Sequence, residues 1–200
     1  MYRLQKRRDG KLTVAELHDD LAGGVAARCR YVGKPEFARI EGECPPDGAA
    51  WRAAPNRRVL PTSWRLETEG GDATVFSHDV LRKTLNPWGR TLFTVEREGS
   101  GGELRVVDAV PDGVGRALNL AREDWALVHG DETVARLGFA RRPEEGPARD
   151  AAGPLGRLRR AVGSALAHDR ALVSLGEAHA LKPHEALLLM LLCEALTETV

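Results

Sequence analysis

Cysteine is scarce and unpatterned in this chain: Cys29, Cys44 and Cys193 are odd in number and form no C-x-x-C pair, which argues against a disulfide framework. Net charge is missing as well. The 29 basic residues balance 29 acidic ones over 200 positions, so no global field draws the chain to nucleic acid or to an anionic membrane, and any such binding has to be local. No specific nucleic-acid binding is expected. Lysine is rare, limited to Lys6, Lys11, Lys34, Lys83 and Lys182. The arginine that replaces it suits bidentate phosphate recognition, and an Ala/Gly/Arg-rich composition accounts for the same excess. Also absent are G-x-x-x-x-G-K-S/T, G-x-G-x-x-G after a strand, G-x-S-x-G and H-E-x-x-H. Nucleotide binding and serine hydrolysis thereby lose their usual signals, and no cofactor is expected. Residues 1–8 carry charge without a following apolar stretch, so no secretory signal is read and a cytoplasmic location is expected.

What is present is concentrated at the end. After Lys182 and Pro183, an unbroken apolar run over 186–193 continues through Glu194 to Ala195 and Leu196. Leu, Ala and Met favour helix, proline is at home at a first helical position, and a helix apolar all round has to be enclosed on every side. About 14 residues at 1.5 Å rise give roughly 21 Å, whereas a membrane span needs about 20 predominantly apolar residues. Leu187, Leu188, Leu189, Met190, Leu191 and Leu192 are therefore expected to form a core helix, with no transmembrane segment. Before it the chain reads as strands and turns. Runs 64–69 and 73–80 flank Gly70-Gly71-Asp72, runs 91–95 and 104–107 flank residues 99–102, and runs 125–128 and 133–137 flank Gly130-Asp131. Each pair of extended runs around a glycine turn predicts a hairpin. The length fits a single domain over 1–200.

Other segments are less uniform. Thr13 and Glu16 fit a capping box and Val14, Leu17 and Leu21 keep helical spacing, yet 12–17 also reads as a strand running to a turn at Asp19-Asp20. Strand is expected, because 25–32 after Gly23-Gly24 supplies a partner. Four prolines, Pro45, Pro46, Pro55 and Pro61, mark 44–61 as a loop. Residues 141–154 are rich in Pro, Gly and charge and predict a flexible surface excursion. A short amphipathic helix follows, with Leu155, Leu158, Val162 and Leu166 on one face, Arg157, Arg160, Ser164 and His168 on the other, and Arg159 at the boundary. Residues 171–175 read as the last strand.

The W-x-L hairpins at Trp64 and Trp125, the strand, turn and strand over 125–137, and the terminal helix over 183–196 together resemble the tubby-like fold. This is the fold of the tubby C-terminal domain, the phospholipid scramblases and the LURP-one-related proteins. The resemblance implies an all-β chain, with a closed antiparallel barrel of about twelve strands around a central hydrophobic C-terminal helix and one short amphipathic helix. Departures limit what it implies about activity. Cys29 and Cys44 are isolated, no D-x-D/N-x-D/N-G calcium loop occurs and the terminal helix is short, so scrambling is not carried over. Tubby domains bind phosphoinositide headgroups in a basic pocket that has no residue-by-residue match here, and no family site residue transfers.

Little in the sequence points to catalysis. His179 and His184 lie near Glu177 and Glu185, but Leu181-Lys182-Pro183 between them reads as a helix entry rather than a metal site. The helix dipole accounts for Glu185. Glu194 is expected to mark where the helix emerges, the alternative being a buried pair with an arginine. His78 and Asp79, adjacent in a strand, point to opposite faces. No catalytic, metal or cofactor residue is assigned, and the chain is expected to be non-enzymatic. Two basic features remain. Arg3, Lys6, Arg7, Arg8 and Lys11 stand against Asp9, a net +4, and the 155–168 helix carries three arginines. Lys6, Arg7, Arg8, Arg157, Arg159 and Arg160 are the candidate contacts to anionic phospholipid or phosphoinositide headgroups, with the apolar face of that helix at the interface. Against this stands a solvated terminus and a helix packed on its own barrel. The expected function is thus a binding or scaffold module, peripheral to the inner membrane surface. The alternatives are a protein-interaction module using an exposed edge or the 141–160 segment, and a small-ligand-binding protein or hydrolase.

Overall fold

The computed structural model describes residues 1–78, 91–99, 103–108, 125–140, 169–174 and 181–197. Twelve strands and one α-helix fall among them: β1 (Tyr2–Asp9), β2 (Leu12–Asp19), β3 (Gly24–Val32), β4 (Ile40–Cys44), β5 (Ala49–Pro55), β6 (Ser63–Thr68), β7 (Ala73–Ser77), β8 (Thr91–Arg97), β9 (Glu103–Asp108), β10 (Trp125–His129), β11 (Glu132–Ala140), β12 (Asp169–Ser174) and α1 (Pro183–Thr197), with a 3-10 turn at Pro35–Phe37. Every strand pairs antiparallel with its neighbours in sequence, and the strand order returns on itself where β1 meets β12. The three hairpins read from glycine turns are present as β6–β7, β8–β9 and β10–β11.

The expected closed barrel of about twelve strands needs correction at this seam. Among the described residues β1 meets β12 over three pairs, Tyr2 with Leu172, Arg3 with Ala171 and Leu4 with Arg170, whereas its ladder with β2 continues to Asp9 opposite Leu12. Gln5 to Asp9 thus run past β12 with no strand on that side among the described residues. The physical reason lies in the composition of β1. Its first part carries Leu4 into the core, while Gln5 to Asp9 are exposed and mostly charged, a composition common on the edges of sheets. Two local expectations also change. Residues 44–61 are not one loop, because β5 crosses them; Trp51 and Ala53 alternate inward with exposed Arg52 between them, but the alanines on either side hide the alternation. The basic N-terminus is not a solvated tail but strand β1. The 12–17 segment is strand β2, with Leu17 opposite Ala27. The 141–154 excursion and the 155–168 amphipathic helix lie outside the described residues.

Alternate strand residues point inward onto α1. Leu4, Leu17, Tyr31, Ile40, Trp64, Leu66, Phe76, Phe93 and Val95 are buried, and residues 186–193 of the helix are each at most 1% exposed. The helix is apolar on every face because it is covered on every face. It packs against β2, β3, β4, β12 and the 3-10 turn, and small inward residues on those strands, Ala15, Ala27 and Cys29, make room for it. No helix among the described residues is long and apolar enough to cross a membrane.

One glycine is set by close packing rather than by a turn. Gly42 on β4 stands opposite Trp51, and a Cβ at this position would overlap the indole ring and lie 2.6 Å from the Arg28 carbonyl oxygen. Gly42→Ala is expected to destabilise the fold by about 1–3 kcal/mol, the usual range for overpacking. Urea unfolding reads this directly. A variant as stable as the parent would show that the ring has room to move.

Candidate functional site

Antiparallel order sorts the connections by end. The β1–β2, β3–β4 and β5–β6 connections leave from one end, with the C-terminus of α1, while the β2–β3, β4–β5 and β6–β7 turns share the other end with its N-terminus. At the helix-entry end, Glu185 is 1% exposed. It accepts from Arg97 Nε at 2.9 Å and Nη2 at 2.6 Å, from Thr74 Oγ1 at 2.7 Å and from the Lys182 backbone N–H at 2.8 Å. The last bond is one half of a capping box, with the carboxylate at the third helical position. Burial pushes the Glu185 carboxyl up, but the Arg97, Lys182 and Thr74 donors outweigh it and hold the group below its ordinary range. Helix dipole alone, the explanation read from sequence, is therefore incomplete: Glu185 fastens α1 to β7 and β8.

Beside it, Cys44 Sγ lies 3.6 Å from His184 Nδ1, and the Trp51 ring stands next to the imidazole. A thiol and an imidazole in contact invite comparison with a cysteine nucleophile. Electrostatics argue against it. Burial, with Asp47 nearby, raises the Cys44 pKa, and burial lowers that of His184, so each group is held neutral, whereas a nucleophile needs thiolate. His184 is thus a packed core residue, and no group of three or more potential metal ligands occurs among the described residues. His179, Glu177 and Asp79 lie outside them.

The outer face of β1 to β6 holds a groove of about 890 Å³ lined by four arginines, Arg7, Arg28, Arg30 and Arg52, and four glutamates, Glu41, Glu43, Glu67 and Glu69. The two signs balance in number, and six of the eight fall in cross-strand pairs: Arg28 with Glu43 at 3.5 Å, Arg30 with Glu41 at 3.5 Å and Arg52 with Glu67 at 2.7 Å. Such ladders stabilise the sheet modestly and leave no net field for a charged ligand.

The opposite end is different. β1 alternates, so Lys6 shares the inward face of Leu4 and reaches the end of α1, where it forms an ion pair with Glu194. Glu194 is thus half-buried and held by a lysine rather than emerging freely. Arg7 and Arg8 are exposed, and Arg8 Nε donates to the Gly10 carbonyl at 3.2 Å. In the β3–β4 connection, Trp64 Nε1 donates to the Glu36 carbonyl at 2.9 Å. This bond seats the 3-10 turn against the start of β6 and leaves Lys34, Phe37 and Arg39 exposed. In the β5–β6 connection Arg57 and Arg58 are exposed. Residues 7–11, 33–39 and 56–62 together carry seven cations against two carboxylates, Asp9 and Glu36, and Glu36 is buried. At the helix-entry end the turns 20–23, 45–48 and 69–72 carry Asp20, Asp47, Glu69 and Asp72 and no cation of their own, although Arg3 pairs with Asp20 and Lys182 with Asp72.

Of the sequence-derived contacts, Arg7 and Arg8 sit on this basic end, Lys6 is engaged with Glu194, and Arg157, Arg159 and Arg160 lie outside the described residues. Lys34, Arg39, Arg57 and Arg58 join Arg7 and Arg8 there through the fold and belong to neither basic feature of the sequence. A signal was available: no acidic residue occurs between Asp47 and Glu67. Compared with known proteins, the chain matches no family model, no curated protein and no solved structure.

Proposed function

We propose that this chain is a non-enzymatic module that associates peripherally with anionic phospholipid headgroups through its basic end. The observation that carries the reading is charge separation along the molecule. A chain with no net charge gathers Arg7, Arg8, Lys11, Lys34, Arg39, Arg57 and Arg58 at one end of its sheet and acidic turns at the other. A molecule so polarised turns its basic end toward a negative surface even though its total charge gives no attraction. Each exposed basic residue brought near such a surface contributes about 1 kcal/mol, and the attraction decays over roughly 8–10 Å at physiological salt.

The test is co-sedimentation with phosphatidylserine-containing vesicles against pure phosphatidylcholine. Lys11→Glu, Lys34→Glu and Arg58→Glu, one from each connection, remove about 3 kcal/mol together before any repulsion. The triple variant is therefore expected to bind at least about 100-fold more weakly. Its thermal stability should stay close to that of the parent, because exposed charges contribute little to folding. Parent protein that ignores anionic vesicles at low salt, or a triple variant that binds as well as the parent, removes this function.

A further inference from the structure

The basic end also carries apolar side chains that the fold holds in water. Val59 and Leu60 are 75% and 76% exposed at the tip of the β5–β6 connection, and Phe37 is 47% exposed on the neighbouring connection. This is not slack chain. Asn56 Oδ1 accepts from the backbone N–H groups of Thr62 at 3.1 Å and Ser63 at 3.3 Å, its Nδ2 donates to Thr62 Oγ1 at 3.1 Å, and its own N–H donates to the Ser63 carbonyl at 2.8 Å. The Thr62 carbonyl accepts from His78 N–H at 2.8 Å, and Pro61 is buried. The four residues beyond this clasp, Arg57 to Leu60, are therefore presented from a fixed base. Leu60 also adopts φ +50°, the only left-handed non-glycine residue among those described. A leucine in that conformation is strained, and strain held by surrounding hydrogen bonds is a mark of a functional position. Leu21, 90% exposed at the acidic end, is a lone surface leucine and needs no such account.

Two arginines followed by two outward apolar residues match the layered chemistry of a bilayer, in which anionic headgroups overlie hydrocarbon. We propose that the Arg57 to Leu60 tip inserts into an anionic bilayer, with Arg57 and Arg58 at the phosphates and Val59 and Leu60 below them. This rests on the lipid-binding reading above and adds to it a component that salt does not screen, since apolar burial is insensitive to ionic strength of this range.

The experiment uses the full chain and vesicles of phosphatidylserine and phosphatidylcholine. Val59→Ser with Leu60→Asn removes the apolar tip while keeping a residue that tolerates φ above zero, so the fold should be at least as stable as the parent. Binding should fall about 100-fold, the expected effect of withholding two such side chains from an apolar phase, and what remains should vanish at physiological salt. In a second measurement, Val59→Cys is labelled with an environment-sensitive dye; the three native cysteines are buried, so the label reports position 59. Its emission should shift to that of an apolar medium when anionic vesicles are added. If the parent binds anionic vesicles but the double variant binds equally, or the dye stays in water, insertion is overturned while headgroup association stands. If the parent does not bind at all, both readings fall together. Self-association that shields the dye without lipid and is lost in the double variant would assign the tip to a second copy of the chain, and would overturn insertion too.

Discussion

Leu189→Lys is expected to leave no native protein. Leu189 lies midway along α1, 1% exposed, with buried neighbours on both sides. Loss of a buried leucine alone costs about 2–5 kcal/mol, and an unpaired ammonium in the same place adds a desolvation penalty of several kcal/mol more. A lysine escapes part of that penalty by shedding its proton, but a folded-state pKa lowered by several units is itself a loss of comparable size at neutral pH. The sum meets or exceeds the roughly 5–15 kcal/mol that holds a domain together. Circular dichroism and a thermal melt decide the matter: the variant should be insoluble or show no cooperative transition. A soluble variant that melts cooperatively near the parent temperature would mean that α1 is not enclosed. The tip stands in contrast, because Leu60→Asn removes a leucine of the same size at 76% exposure and is expected to cost the fold nothing.

That contrast shows where the sequence speaks plainly. An uninterrupted run from Ala186 to Cys193 has one physical reading, burial on all sides, and glycine turns between β-favouring runs mark hairpins with little ambiguity. β5 was hidden because its alternation is built from Trp51, Ala53 and flanking alanines, and alanine does not distinguish an inward from an outward position. β1 was hidden by its charge. Most informative is the basic end itself. Arg8, Lys34 and Arg58 are separated by many residues in sequence and meet only because three connections leave the sheet from the same end. A one-dimensional scan finds charge runs, and so finds Arg8 in the basic N-terminal run, but Lys34 and Arg58 belong to no long one. The seam is a further case: strand order follows from a run of hairpins, but how far β1 and β12 overlap depends on where each ladder stops, which no local pattern encodes.

Glu185 makes the same point with a large energetic consequence. Its place at the third helical position is visible in sequence, but its guanidinium partner, Arg97, is 88 residues away on β8. Arg97→Met is expected to destabilise the protein by about 3 kcal/mol at neutral pH. Stranding one member of a buried pair costs about 3–5 kcal/mol, and the lower figure applies here because the Arg97 side chain is a quarter exposed. The pH dependence identifies the cause. In the parent, the folded-state carboxyl of Glu185 lies below its ordinary value of 4.5, so its contribution is present above the unfolded-state pKa and is lost as pH falls through the folded value. In Arg97→Met, burial is no longer opposed by the guanidinium and the folded pKa rises. The neutral acid is then the favoured buried form, its stability is fully present below the unfolded pKa, and it declines as pH climbs through the raised one. The deficit of the variant against the parent should therefore be largest at about pH 7 and shrink toward about pH 4. Adding Glu185→Gln to Arg97→Met should recover part of the loss at neutral pH, because an amide buries without charge. Urea unfolding of the parent, the single variants and the double variant at both pH values supplies the cycle. A deficit that is the same at both pH values, together with a double variant no more stable than Arg97→Met, would show that Arg97 acts through the packing of its stem, and that the charge on Glu185 is not what fastens the helix to the sheet.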